Sequence, residues 1–232
     1  MKHKFVAKTL FLLFALAYLL GCNPTKKVPE GAYLLRKNTI SVNDKKPKNA
    51  NIYGYLRQEP NSRLLGIPLG LLIYNLADDH AEENYQKWLE RHPKWHRFLD
   101  GFLSKKQTQR LGKSFLVSGK DRMLQRMGQA PVIIDTVETR KSAHTLNAYY
   151  NSVGYYNNKS HYEITPTDKE KQASVTYLID RGRRYYIDSL DTQILSPEID
   201  SLYKKRINER IIKPRTFYHL EKFNNERARI TS

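Results

Sequence analysis

The chain opens with a block of apolar positions. From Leu10 to Leu20 there is no charge and almost nothing polar. Eleven residues of helix rise only about 16 Å, roughly half a bilayer core, so the block is too short to span a membrane. Lys2, Lys4 and Lys8 precede it and the small Gly21 closes it, which is the layout of a secretory signal over 1–21 with a cut before Cys22. The pattern then turns polar through Glu30, with Pro24, Lys26, Lys27 and Pro29, and reads as a short tether over 22–30.

Regular patterning begins at "AYLLRKNTISV" (32–42), a strand with Leu34, Ile40 and Val42 on one face. In "NANIYGYLRQEPN" (49–61), Ile52, Tyr55 and Leu56 fall at helical spacing and Pro60 closes the run. Residues 61–130 break the rhythm and read as an insertion. It holds a nearly uncharged run, Leu64–Leu76, too short to cross a membrane. A helix starting at Asp78 and Asp79 follows, with Tyr85, Trp88 and Leu89 on one face. Another is predicted from Pro93 with Trp95, Phe98, Leu99 and Phe102. Two readings of this segment stand: packing on its own domain, or contact with a lipid interface or partner, since Trp, Tyr and Arg favour such boundaries. Its tail, 107–128, is basic and weakly patterned and reads as a loop. Periodicity returns in "DTVETRKSAHTLNAYYNSVGYY" (135–156), a helix with Leu146, Tyr149, Tyr150 and Val153 on one side and Gly154 placed to end it. "YYNNKSHYEIT" (155–165), polar and closed by Pro166, suits an exposed edge strand, and the apolar "ASVTYLID" (173–180) a central one. A second copy of the pattern is expected to begin with the alternation of "RRYYIDSLDTQI" (183–194). A helix opened by Ser196 and Pro197 follows, then one in "FYHLEKFNNERARITS" (217–232).

Composition adds charge and a preference. Without residues 1–21 the chain carries 37 basic and 23 acidic residues, a net +14. Export argues against nucleic acid as the partner, and the basic residues are interspersed with acids. A solvated surface and a patch facing anionic lipid are both compatible with that pattern. Sixteen tyrosines, many in alternating stretches, favour strands with one partly exposed face. The single cysteine excludes an internal disulfide.

Catalytic chemistry finds no support. "LGKS" (111–114) lacks the first glycine of a phosphate loop, since Gln107 stands there. His92 and His96 are separated by Pro93, and no glutamate follows His92, so the metalloprotease pattern is missing. No nucleophile grouping stands out, and the expectation is a non-enzyme with neither cofactor nor metal.

Leu19-Leu20-Gly21-Cys22 resembles a bacterial lipobox. That resemblance implies a diacylglycerol on the Cys22 sulfur and a further acyl chain (palmitate or similar) on its amine. Two or three such chains, at about 0.8 kcal/mol per buried methylene, would make a permanent anchor. The order strand, helix, helix, strand, strand over 31–182, with Gly154-Tyr155-Tyr156 after the second helix, resembles a POTRA domain. Together with the lipobox, "KVPEGAYLL" (27–35), "YLRQEPN" (55–61), "QAPVIIDT" (129–136) and "FNNERARI" (223–230) resemble the TamL-type lipoproteins of the BamA/TamA outer-membrane assembly superfamily. The resemblance implies an α+β fold of POTRA-like modules, the first over 31–182 with its insertion at about 61–130. A second, truncated module over 183–232 follows, together with delivery to the outer membrane, modules facing the periplasm. The implied function is help in translocating and assembling outer-membrane proteins. Extended client strands would add to the edge strand after Gly154, at Tyr156, Lys159, His161, Tyr162 and Ile164. The implied partners are unfolded outer-membrane proteins, membrane lipid and a TamB-like protein. Two alternatives stay open. The edge could be a solvated strand only, and the chain a generic periplasm-facing lipoprotein that binds a partner protein or cell-wall polymer.

Overall fold

The structure, a computed structural model, describes residues 23–231, so the signal-peptide, cleavage and lipidation readings at 1–22, Cys22 included, lie outside the described residues. The chain forms two compact units. The first comprises residues up to 36, 60–133 and 166–172, and the second 37–59, 134–165 and 173 onward. The fold is α+β, with one three-stranded sheet, β1 (Leu34–Val42), β2 (Lys159–Pro166) and β3 (Gln172–Asp180), in the order β1-β3-β2.

Among the described residues, the first unit is mostly helical, with α1 (Leu69–Leu76), α2 (Ala81–Arg91), α3 (Pro93–Phe102), α4 (Lys105–Leu111) and α5 (Lys120–Met127). The helices from 81 and 93 were expected from periodicity. The tail over 107–128 was expected to be a loop and is helical instead. Its helices are short, and only the first has a side-chain cap: the Ser104 hydroxyl accepts from the Gln107 N–H, and the Gln107 side chain accepts from the Ser104 N–H. A five-residue π turn, Phe115–Gly119, joins α4 to α5. The link from α5 back to α1 is tight. The Gln129 N–H donates to the Gly70 carbonyl at 2.8 Å, and a Cβ on Gly128 would stand 2.5 Å from the Tyr74 nitrogen. Only glycine fits there.

The segment expected to be a tether packs against α1. Val28 is buried in a small core with Leu34 and Leu71. The Asn75 amide donates to the Asn23 and Pro24 carbonyls at 3.2 and 3.1 Å, and Lys27 pairs with Asp79 at 2.6 Å. A buried valine and paired backbone carbonyls override the polar composition that suggested a free linker.

The second unit is built around α6 (Thr136–Ser152). Asp135 caps its start, accepting from the Val137 and Glu138 N–H groups. Gly154, at φ +92°, ends it: the Tyr155 N–H donates to the Tyr150 carbonyl and the Gly154 N–H to the Asn151 carbonyl, a Schellman arrangement. Thr139, Ser142, Ala143, Leu146 and Tyr150 are the buried face of α6. Against it lies β3, whose Tyr177 hydroxyl bonds Ser142 and Thr139 and is pushed above the ordinary tyrosine range chiefly by burial. The helix expected around Ile52 is a short 3-10 helix, Ala50–Tyr55, held to α6 by the Arg57 N–H on the Ser142 hydroxyl and by Tyr55 against Tyr149, ring centres 4.8 Å apart.

Beyond β3, the expected helices form as α7 (Pro197–Lys205), capped by the Ser196 hydroxyl on the Ile199 N–H, and α8 (Leu220–Thr231). The expected strand over 183–194 does not form. Only Tyr186 bridges to Phe217. Half-buried positions there are Arg184, Ile187, Leu190 and Ile194, spaced three or four apart rather than two, so no sheet face is presented. The residues after 182 belong to the same compact unit as β3 and α6.

Candidate functional site

The apolar "ASVTYLID" forms the middle of the sheet, and the polar "KSHYEITP" forms an edge, as their patterns predict. The Thr167 N–H donates to the Gln172 carbonyl at 2.9 Å, making β2 and β3 an antiparallel hairpin. Leu34 donates to the Lys171 carbonyl and Asn43 to the Ile179 carbonyl, so β1 and β3 run parallel. The sheet thus has two edges, and they differ.

On β1, three N–H groups directed away from β3 are already engaged. Leu35 donates to the Val132 carbonyl at 2.8 Å, Val42 to the Lys45 carbonyl at 2.8 Å, and Ile40 to the Tyr53 hydroxyl at 3.4 Å. On β2, no main-chain group of residues 159–165 is bonded to anything beyond the hairpin, among the described residues. With Thr167 fixing the register, antiparallel alternation turns the amides of His161, Glu163 and Thr165 toward β3. Those of Ser160, Tyr162 and Ile164 point outward. The open edge therefore presents three N–H and three C=O groups in a row.

The structure brings Lys159, His161, Tyr162 and Ile164 together on β2. Lys159 and His161 are exposed. Tyr162 and Ile164 are half-buried with Ser160, whose hydroxyl donates to the Ala143 carbonyl of α6 at 2.7 Å. Their outward contribution is main chain, and their side chains turn to the α6 face. Tyr156 is not on the strand, which starts three residues later. It joins an aromatic group instead, with Tyr185 at 5.6 Å and Tyr218 at 5.3 Å. The turn after α6 directs it there. Burial, with the Tyr218 hydroxyl as a second cause, pushes its phenol up to about 12. Sequence reading missed Tyr185, Tyr218 and the blocking hydroxyl of Tyr53. These are contacts between distant segments, and only the local abundance of tyrosine signalled them.

The histidines weighed for metal binding are dispersed. His92 Nδ1 meets the Trp88 carbonyl at 2.9 Å, and His96 Nε2 lies 3.6 Å from Asp100. Among the described residues no group of three His, Cys, Asp or Glu side chains is placed to share an ion. In the insertion α3 has no buried residue, and Trp95, Phe98 and Phe102 are all exposed. No helix among the described residues is long and apolar enough to cross a membrane.

No family model matches the chain, and no curated protein matches it. Among solved structures, the crystal structure of Haemophilus influenzae BamA POTRA3-5 is similar over 88% of both chains, at 14% identity and a TM-score of 0.29. A TM-score that low transfers nothing by itself, so the open β2 edge and its chemistry carry the functional reading.

Proposed function

We propose that the chain is a strand-binding module that takes extended polypeptide on the outer edge of β2. It is held at the outer membrane by lipid on Cys22 and works in the assembly of outer-membrane proteins. The observation that supports this is the contrast between the sheet edges: β1 is blocked by Val132, Lys45 and Tyr53, while β2 leaves a row of main-chain donors and acceptors open. Strand addition uses main-chain bonds, so it tolerates many client sequences, as assembly of diverse barrels requires. Unpaired edges are an aggregation liability that proteins usually cover or shorten, and one left open calls for an occupant. Repetition of the POTRA-like module beyond residue 182, and engagement of a TamB-like protein, belong to the same proposal. The work is binding, without bond-making.

The test is site-specific photocrosslinking in cells. A photoreactive residue at His161 should capture nascent outer-membrane proteins, and one at Lys37, exposed on β1 and outside the cavity that His161 lines, should not. Equal capture at both positions, or none at His161, would remove the edge from consideration. Depletion of the protein should lower several barrel proteins in the outer membrane. An unchanged outer-membrane profile would favour a lipoprotein serving one partner or a cell-wall polymer.

A further inference from the structure

A cleft of about 530 Å³ in the second compact unit is lined by cations and hydroxyls and by no carboxylate. Lys45, Lys46 and Lys48 reach it from the turn after β1, Arg181 and Arg184 from the chain after β3, and His219 from just before α8. Tyr149, Tyr150 and Tyr155, from the C-terminal end of α6, complete it. Asp44, in the same turn as the lysines, does not line it.

The two arginines are positioned yet unneutralised, and the three lysines are exposed. Arg184 Nε donates to the Val153 carbonyl at 2.9 Å, and the guanidinium groups of Arg181 and Arg184 lie 5.0 and 5.7 Å from the Tyr155 ring centre. That fixes the two forks without supplying a counter-charge. None of the five lysines and arginines forms an ion pair among the described residues. Arg181 Nε and His219 Nδ1 are buried without a hydrogen-bond partner. Gathering like charges beside buried, unspent polar atoms is unfavourable unless something of opposite charge completes the site.

We infer that this cleft binds a phosphate group, either free or as the head of a larger ester. One carboxylate would offset one of five positive charges. A phosphate or pyrophosphate offers two or more negative charges and several oxygens, matching two guanidinium forks and the adjacent hydroxyls. The volume exceeds what a single small anion fills, which favours an ester or a diphosphate.

The experiment uses the full-length chain carrying Cys22→Ser, so that no acyl anchor drives flotation, and two probes: inorganic pyrophosphate by titration calorimetry, and flotation with vesicles of phosphatidylglycerol or of phosphatidylcholine. Pyrophosphate binding that weakens at least tenfold in Arg181→Gln/Arg184→Gln is expected, a loss of about 1.4 kcal/mol. Lys46→Gln/Lys48→Gln changes only exposed side chains and keeps the fold. It should weaken binding several-fold, while Lys106→Gln/Lys120→Gln, of equal charge but outside the cleft, should leave it unchanged. Cleft-dependent flotation with phosphatidylglycerol but no pyrophosphate binding identifies a lipid head group as the source. Cleft-dependent binding of pyrophosphate alone identifies a soluble phosphate. Failure of both probes, or equal losses in cleft and control variants, overturns the inference.

Discussion

Replacing Tyr162 by proline tests the open edge most directly. Three outward residues of β2 can exchange up to about six main-chain bonds with a client strand, each worth about 1 kcal/mol net. Ordering about six client residues costs roughly 1–2 kcal/mol each, so the main chain alone leaves the balance near zero or below. Binding of an isolated peptide should therefore be weak, in the high micromolar range or worse, with client side chains supplying the surplus. Tyr162→Pro removes one outward donor and leaves every bond to β3 intact, a placement proline tolerates on an edge. Tyr162→Ala is the control for the lost side chain. In fluorescence titrations with an extended barrel-strand peptide, the proline variant should bind about fivefold more weakly than the alanine variant, which corresponds to the one lost bond of about 1 kcal/mol. Both should melt at similar temperatures. Glu163→Pro reverses the pattern. Its amide faces β3, so it should destabilise the fold by about 3 kcal/mol or more. Equal peptide affinities for Tyr162→Pro and Tyr162→Ala would refute the assignment of outward amides and, with it, strand addition at β2.

Gly128→Ala forces a Cβ to within 2.5–2.7 Å of the Tyr74 main chain and should cost about 3 kcal/mol in urea unfolding; a change below 0.5 kcal/mol would show that α5 and α1 can separate freely. Glu226 is buried, accepts from the Ile211 N–H at 2.8 Å and pairs with Arg229 at 2.6 Å. Its carboxyl is lowered first by the Arg229 hydrogen bond, so the stability it contributes is complete above the ordinary glutamate value of about 4.3 and is lost as pH falls through the lowered folded value. Glu226→Gln should flatten that acid limb in a pH series of unfolding curves, and an unchanged limb would assign the loss to other carboxylates. Cys22→Ser should abolish incorporation of a palmitate analogue in growing cells; retained label would exclude this thiol as the anchor.

Much of the sheet was legible because its strands carry their burial in their own alternation: β3 is apolar enough for the centre, and β2 is polar throughout. Helix α6 was equally plain, since Leu146, Tyr150 and Gly154 mark its buried face and its end. The helices over 105–127 escaped because each is only seven or eight residues long and only the first has a capping residue, Ser104, to mark its start. The extended stretch 183–194 misled for the opposite reason. Its tyrosines suggest a strand, but its backbone pairs only briefly with 215–218 and its burial recurs every third or fourth residue. Of the site, the edge was readable from polarity and Pro166, whereas the blocking of β1 by Tyr53 and Val132 depends on closures that no local pattern records. Tyr156 was drawn to the wrong place by proximity in sequence alone.

The clasp of Asn75 on the carbonyls of Asn23 and Pro24 has a mechanical consequence. A protein tied to a bilayer by a slack cord can swivel and sample a wide hemisphere above the lipid. Here Asn23 and Pro24 are already fastened to α1, so a lipid proposed on Cys22 would have almost no free chain between it and folded structure. Lipid on Cys22 would hold the α1 end of the first unit hard against the membrane, and force applied there would reach folded structure at once.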